Sequence, residues 1–237
     1  MSLSLLPNIV WHALAGPQAR FASGSGTARR YTRGFSPIVG FADPGRPGFD
    51  ALAPWCEVGE HLYVGGWRGA CPPGWRIHED SSGHQMVWEG GVPADDDTLE
   101  ATPLRAEHVP QMLELVALTQ PGPFGERTIE LGAYLGVFDG GRLVAMAGER
   151  MEAGALREVS GVCTDPASQG RGLARRLMLR LVRAQLDRGQ VPFLHVMHDN
   201  ARAAGLYERM GFRRRGELAV RVVCRTEPGG AREPAHG

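Results

Sequence analysis

The sequence predicts an α/β (α+β) domain over residues 95–227, built on a mixed, mostly antiparallel sheet with one parallel strand pair. Three observations carry this. Residues 134–164 read as three apolar strands joined by tight turns at Asp139-Gly140-Gly141 and at Gly154, which makes them antiparallel neighbours. A glycine-rich turn then leads into a helix over 170–188 with Leu173, Leu177, Leu181 and Ala184 on one stripe. A strand over 191–197 follows, and a crossover through a helix sets it parallel to the strand before the helix.

Taken in order, residues 1–94 have an irregular texture and hold all five tryptophans. A short helix is expected at 9–14 and a helical turn at 49–56. Short strands are expected at 36–42, 61–65, 75–78 and 85–88, each bounded by Gly, Pro or Asp. The stretch from Gly90 to Asp97 reads as a solvated linker; its acidic triplet lacks the spaced ligands of a calcium loop. Beyond it come a strand at 98–104 and a helix at 105–119 stopped by Gln120-Pro121-Gly122-Pro123. A second short helix or a loop is expected at 124–131. After the 191–197 strand, a helix over 200–210 closes at Gly211, and a strand over 217–224 ends the domain. Residues 228–237, rich in Gly, Pro and Arg, are expected to be disordered.

Composition narrows the function. The chain has 237 residues and a formal charge of zero, which argues against a sequence-independent grip on nucleic acid. Its four cysteines are far apart and form no C-x-x-C pair, so neither a zinc site nor a disulfide framework is expected. No stretch approaches the roughly 20 apolar residues of a membrane span. The apolar run at 3–6 is broken at once by Pro7, and no Arg or Lys precedes Arg20, which does not fit a signal peptide. A cytoplasmic protein is the expectation, with no metal, no nucleic acid and no membrane.

The centre of the sequence is Val159-Ser160-Gly161-Val162-Cys163-Thr164-Asp165-Pro166, a strand and turn, followed by Gln169-Gly170-Arg171-Gly172-Leu173-Ala174. Glycines at a helix start let an anion approach backbone N–H groups that have no partner of their own. Further on lies Asn200-Ala201-Arg202-Ala203-Ala204-Gly205-Leu206-Tyr207-Glu208-Arg209-Met210-Gly211-Phe212. The first motif resembles the Gln/Arg-x-x-Gly-x-Gly/Ala pyrophosphate signature of the GNAT superfamily of N-acetyltransferases. The second is similar to that family's Asn-x-x-Ala-x-x-Leu-Tyr-x-x-x-Gly-Phe helix. The resemblance is sharp over 156–212, weaker over 98–224, and does not reach residues 1–94. The implied fold is a GNAT-like mixed sheet whose parallel pair is splayed by a bulge.

The resemblance implies an acetyl-CoA-dependent transfer to a primary amine of a small molecule or peptide, by direct attack in a ternary complex. A non-catalytic acyl-CoA-binding regulator is the alternative. Gln169, Gly170, Arg171, Gly172, Leu173, Ala174 and Arg175 would hold the coenzyme A pyrophosphate. Val162, Cys163 and Thr164 would run beside the pantetheine arm, and a backbone N–H near Val162 would polarise the thioester. Asn200 would contact that arm, and Tyr207 would protonate the leaving thiolate. Each has a simpler reading: Tyr207 as a core aromatic, Asn200 as a helix N-cap, Arg171 and Arg175 as solvated charges. Cys163 reads as a small buried apolar residue rather than an acyl carrier.

For the base, peptide and ribosomal-protein N-terminal acetyltransferases carry a Glu five residues ahead of the Asn; here that position is His195. Its ordinary pKa of about 6.5 suits the role. His195 is equally readable as a satisfied core residue. Glu149 and Glu158 compete with it, as strand residues aimed either into the acceptor cleft or at solvent; His198 is a weaker candidate. The amino-terminal α+β segment, residues 1–94, is either a degenerate GNAT-like half or an added lid on the acceptor pocket. The assembly expected is a monomer or homodimer.

Overall fold

A computed structural model of the chain describes residues 3–227; the tail expected to be disordered, 228–237, lies outside them. The strands are β1 (Ala22–Gly24), β2 (Ala28–Tyr31), β3 (Ile38–Phe41), β4 (His61–Gly65), β5 (Trp75–Trp88), β6 (Thr102–Pro103), β7 (Tyr134–Asp139), β8 (Arg142–Ala153), β9 (Leu156–Thr164), β10 (Val191–Met197) and β11 (Phe212–Arg225). The helices are α1 (Ile9–Ala15), α2 (Phe49–Leu52), α3 (Val109–Thr119), α4 (Leu173–Asp187) and α5 (Ala201–Met210).

The expected meander forms as read. Gly140 and Gly141 take φ of 57° and 82°, the left-handed pair that a two-residue β7–β8 hairpin demands. α4 lays Leu173, Leu177, Met178, Leu181 and Val182 against the sheet, all buried. Truncating one of them to Ala, Leu177 for example, removes about 2–5 kcal/mol of packing. α3 stops where the Gln-Pro-Gly-Pro run begins, with Gln120 left-handed at φ 46°. The strand expected at 98–104 shrinks to β6: Pro103 has no N–H to give a ladder, while Leu99 and Leu104 turn into the core.

One eleven-stranded sheet runs through the whole described chain in the order β1-β2-β3-β4-β11-β5-β10-β9-β8-β7-β6. Its parallel pairs are β3/β4 and β9/β10; every other pair is antiparallel. The two strands expected at 75–78 and 85–88 are one fourteen-residue strand, β5, held along its length by β11. It lies between β10 and β11, so the sheet is not divided at the expected boundary near residue 94.

Leaving β6 aside, reversing the strand order maps β1–β5 onto β7–β11. Each half is a three-strand meander, then a crossover to a parallel fourth strand, then a fifth strand that leaves its own half to pair beside the other half's fourth. The strands repeat but the helices do not. The crossover in the carboxy-terminal half is α4, fifteen residues long; in the amino-terminal half it contains α2, a single turn. Phe49 from that turn packs on Trp67 and Trp75, at centroid distances of 4.8 and 5.0 Å, so tryptophan fills the core there.

Candidate active site

Gly161 makes the site possible. It sits inside β9 at φ 60°, and the β8–β9 register slips by one residue around it, so β9 bulges. Consequently β9 and β10 pair only from Leu156/Val191 to Glu158/Phe193 and then part. The cleft that opens has a volume of about 380 Å³. Ser160 and Val162 line one wall, Leu194 and Val196 the other, and Asn200, just before α5, and Tyr207 within α5 also line the cleft.

The glycine turn lies where β9 passes into α4. Asp165 shapes it: its carboxylate accepts from the Ala167 N–H at 2.8 Å and pairs with Arg142. Gly170 and Gly172 both have left-handed φ, 80° and 72°, and a Cβ on either would meet nothing within 4 Å. Gly172 is the N-cap of α4, and no side chain caps the helix start. Unpaired N–H groups at the head of a four-turn helix, reached across bare glycine, form a fitting cradle for a pyrophosphate. Gln169, Gly170, Arg171, Gly172 and Arg175 are all exposed around this turn, whereas the Leu173 side chain is buried in the core. Arg171 makes a 3.0 Å surface pair with Asp139.

Cys163 faces away from the cleft into a cluster with Met112, Leu115, Tyr134 and Met146. Burial pushes its thiol up to about 11, which keeps it protonated. The Thr164 hydroxyl is buried and has no partner among the described residues. Asn200 is the N-cap of α5, its Oδ1 accepting from the Ala203 N–H at 3.1 Å, and it also lines the cleft. Tyr207 lines the cleft with its ring edge-on to Phe212, 6.2 Å between centroids. Burial pushes its phenol up to about 12, so the hydroxyl keeps its proton at neutral pH.

The three candidate bases separate sharply. Glu149 is turned to the α4 face of the sheet. There it accepts from Arg157 (3.1 and 3.0 Å), from Gln185 (3.1 Å) and from the Ala133 N–H (3.2 Å), and it pairs with Arg188. Burial alone would raise its carboxyl, but Arg157, Gln185 and the Ala133 N–H hold it below the usual range. Glu149 is therefore a buried anchor, which corrects the expectation that it enters the acceptor cleft. Glu158 lies on the opposite face and lines the cleft, 1% exposed. Its two oxygens accept from Arg150 at 2.9 and 2.8 Å. Burial pushes the Glu158 carboxyl up, yet the adjacent Arg150 guanidinium and His195 hold it far below the ordinary glutamate value. Both Glu158 oxygens are thus occupied, by Arg150, the Met151 N–H and His195, an arrangement that favours the ionised carboxylate.

His195 lines the cleft, with Nδ1 2.8 Å from Glu158 Oε1 and Nε2 3.2 Å from the amide nitrogen of Gln85. That amide nitrogen also donates to the Leu6 carbonyl at 2.8 Å, so Gln85 presents its second N–H to the ring. The neutral imidazole thus carries its proton on Nδ1, donates to Glu158 and accepts from Gln85. His198 is not in the cleft; it bonds to Ser82 and His84 on the surface.

The amino-terminal segment reaches the same cleft through Tyr63 and Val64 of β4 and Glu79 and Ser81 of β5. These residues, with Arg150 and Gln85, escape sequence reading. Arg150 follows Glu149 on β8, a strand buried along nearly all its length, so alternation does not single it out. Gln85 carries no local signal, because only the insertion of β5 beside β10 brings it to His195. Among the described residues, no helix is long and apolar enough to cross a membrane.

Comparisons with known proteins bear on the family and the fold. Residues 134–222 match the model of the FR47-like protein family. A curated relative, the N-alpha-acetyltransferase RimI of Mycobacterium tuberculosis, is 41% identical over 86 residues. That match takes in 35% of the chain and about half the relative's length, 53%. The solved structure of a protein assigned to the GNAT family of acetyltransferases, from Novosphingobium aromaticivorans, is 38% identical. It superimposes with a TM-score of 0.86 over 94% of this chain and 99% of its own. A GCN5-related N-acetyltransferase from Kribbella flavida, 16% identical, shares the fold with a TM-score of 0.63 over 97% of each chain.

Proposed function

The chain belongs to the GNAT family of N-acetyltransferases, and from that premise we propose that it moves an acetyl group from acetyl-CoA to a primary amine by direct attack. The observation that supports the donor reading is that β9 joins two features. It forms one wall of the cleft that Tyr207 also lines, and it leads through the bare glycine turn to the start of α4, which no side chain caps. The N–H groups from Gly170 to Arg175 would hold the pyrophosphate. The edge of β9 around Val162 would bind the pantetheine arm and polarise the thioester carbonyl. The Nδ2 of Asn200, whose Oδ1 is taken by the helix cap, would add a contact to that arm.

On the acceptor side an amine attacks only when neutral, so its proton must leave. His195 is our candidate acceptor for that proton. Glu158 stands at Nδ1 to balance the imidazolium, and Arg150 keeps Glu158 ionised. Protonation of Nε2 requires the Gln85 amide to turn from it, because two donors would otherwise face each other. Tyr207 would return a proton to the leaving thiolate, whose ordinary pKa of about 8.5 makes it a good leaving group. We read residues 1–94 as a degenerate second half that has kept its strands, lost its phosphate-binding helix, and become the acceptor wall. The amino-terminal specificity in the RimI name points to peptide α-amines as the first acceptors to test, alongside small amines.

Tyr207→Phe is expected to lower kcat about a hundredfold while leaving acetyl-CoA affinity unchanged in calorimetry. Unchanged turnover removes Tyr207 from the mechanism. His195→Ala is expected to abolish the acidic limb of the kcat/KM profile across an amine panel, measured by thiol release; a limb that persists places the base elsewhere.

A further inference from the structure

We propose that His84, His198 and Glu217 form a divalent-cation site, suited to Zn²⁺, that ties the inserted strand β5 to β10 and β11. The site rests on the strand arrangement and is independent of the acetyl-transfer reading. The β-ladder sets it up. His84 of β5 pairs across to Val196 of β10 on one side and to Glu217 of β11 on the other, and His198 follows β10 directly. One ligand atom from each residue lies within 4.8 Å of the others. His84 Nδ1 and His198 Nε2 are 3.2 Å apart, and a Glu217 oxygen is 3.9 Å from the latter. Two nitrogens bound tetrahedrally to one zinc at its usual bond lengths stand about 3.3 Å apart, so the imidazoles already span one edge of the polyhedron.

The outer contact is also present. Ser82 Oγ lies 2.9 Å from His198 Nδ1, the nitrogen a metal would not use, and so fixes which nitrogen faces the other ligands. Around the site, Glu208 and Glu217 favour a cation. Arg214 opposes it but is held by Glu208 at 2.8 Å. Two histidines and a carboxylate leave coordination positions for water, as a surface staple does. No motif announces the site because its ligands are scattered across the sequence and meet only through the exchange of β5 and β11. Its consequence is local: His198 stands two residues before Asn200, so a bound ion would pin the loop at the mouth of the cleft.

The test is a titration of the full chain with Zn²⁺ against a chromophoric chelator, without coenzyme A, whose thiol would compete. One equivalent should bind in the micromolar range and raise Tm. His84→Ala and His198→Ala should each abolish both effects, and Ser82→Ala should weaken binding about tenfold. Cys71→Ser and His61→Ala, which alter the exposed thiol and the separate His61–His78 pair, should leave binding intact. No binding in that range, or binding that survives His84→Ala, overturns the site.

Discussion

Arg150→Ala is expected to cost the fold about 3–5 kcal/mol, because it strands the Glu158 carboxylate in the interior with only His195 and the Met151 N–H beside it. The pH dependence separates this from ordinary loss of packing. In the intact protein the folded pKa of Glu158 lies well below its unfolded value of about 4.3. Its contribution is therefore complete above that value and fades as pH falls below it. Without Arg150, burial dominates and the folded pKa rises above the unfolded one. The contribution of Glu158 is then favourable in acid and lost as pH rises. The stability gap between the two proteins should be widest near neutrality, narrow as pH falls through the variant's raised pKa, and close only below the lowered pKa of the intact protein. Denaturant unfolding at several pH values would show it, and a gap that stays constant with pH contradicts it. Arg150→Met combined with Glu158→Gln should recover most of the loss, since it removes both charges and keeps an acceptor for His195.

The second large effect is at the glycine turn. Gly172→Val is expected to weaken acetyl-CoA binding about a hundredfold, or about 2.7 kcal/mol. A branched side chain there fills the open space in front of the first N–H groups of α4. It also resists the left-handed backbone, at about 1–2 kcal/mol of stability. Gly189→Val is the matched control. Gly189 has φ 71°, nothing near its Cβ, and lies at the other end of the same helix. It should show the stability loss and leave calorimetric affinity unchanged. Equal loss of affinity in both variants would mean that strain, not obstruction, is responsible.

Much of the structure around the proposed donor side was legible because it is local. The hairpin glycines, the α4 stripe and the Asn200–Phe212 helix each declare themselves within about four turns or one tight loop. The acceptor side was not. β8 is buried along nearly all its length, so alternation could not say whether Glu149 or Arg150 faced the cleft. β5 was read as two pieces because its middle, Glu79-Asp80-Ser81-Ser82-Gly83, looks like a turn. It is extended only because β11 pairs with it from Trp75 to Trp88. The link from Gln85 to His195 rests on the same long-range pairing and had no local trace.

The exchange of fifth strands also sets the order in which this molecule can be assembled. The central ladder joins Trp88 to Phe212 and Trp75 to Arg225, so neither inner edge is covered until the end of the domain has been made. During synthesis β4 and β5 emerge early and wait with open edges for partners that come last, the condition that favours slow folding and mispairing. A chain cut near residue 94 should therefore yield two fragments that are each unstable alone, and that regain a common fold only when mixed.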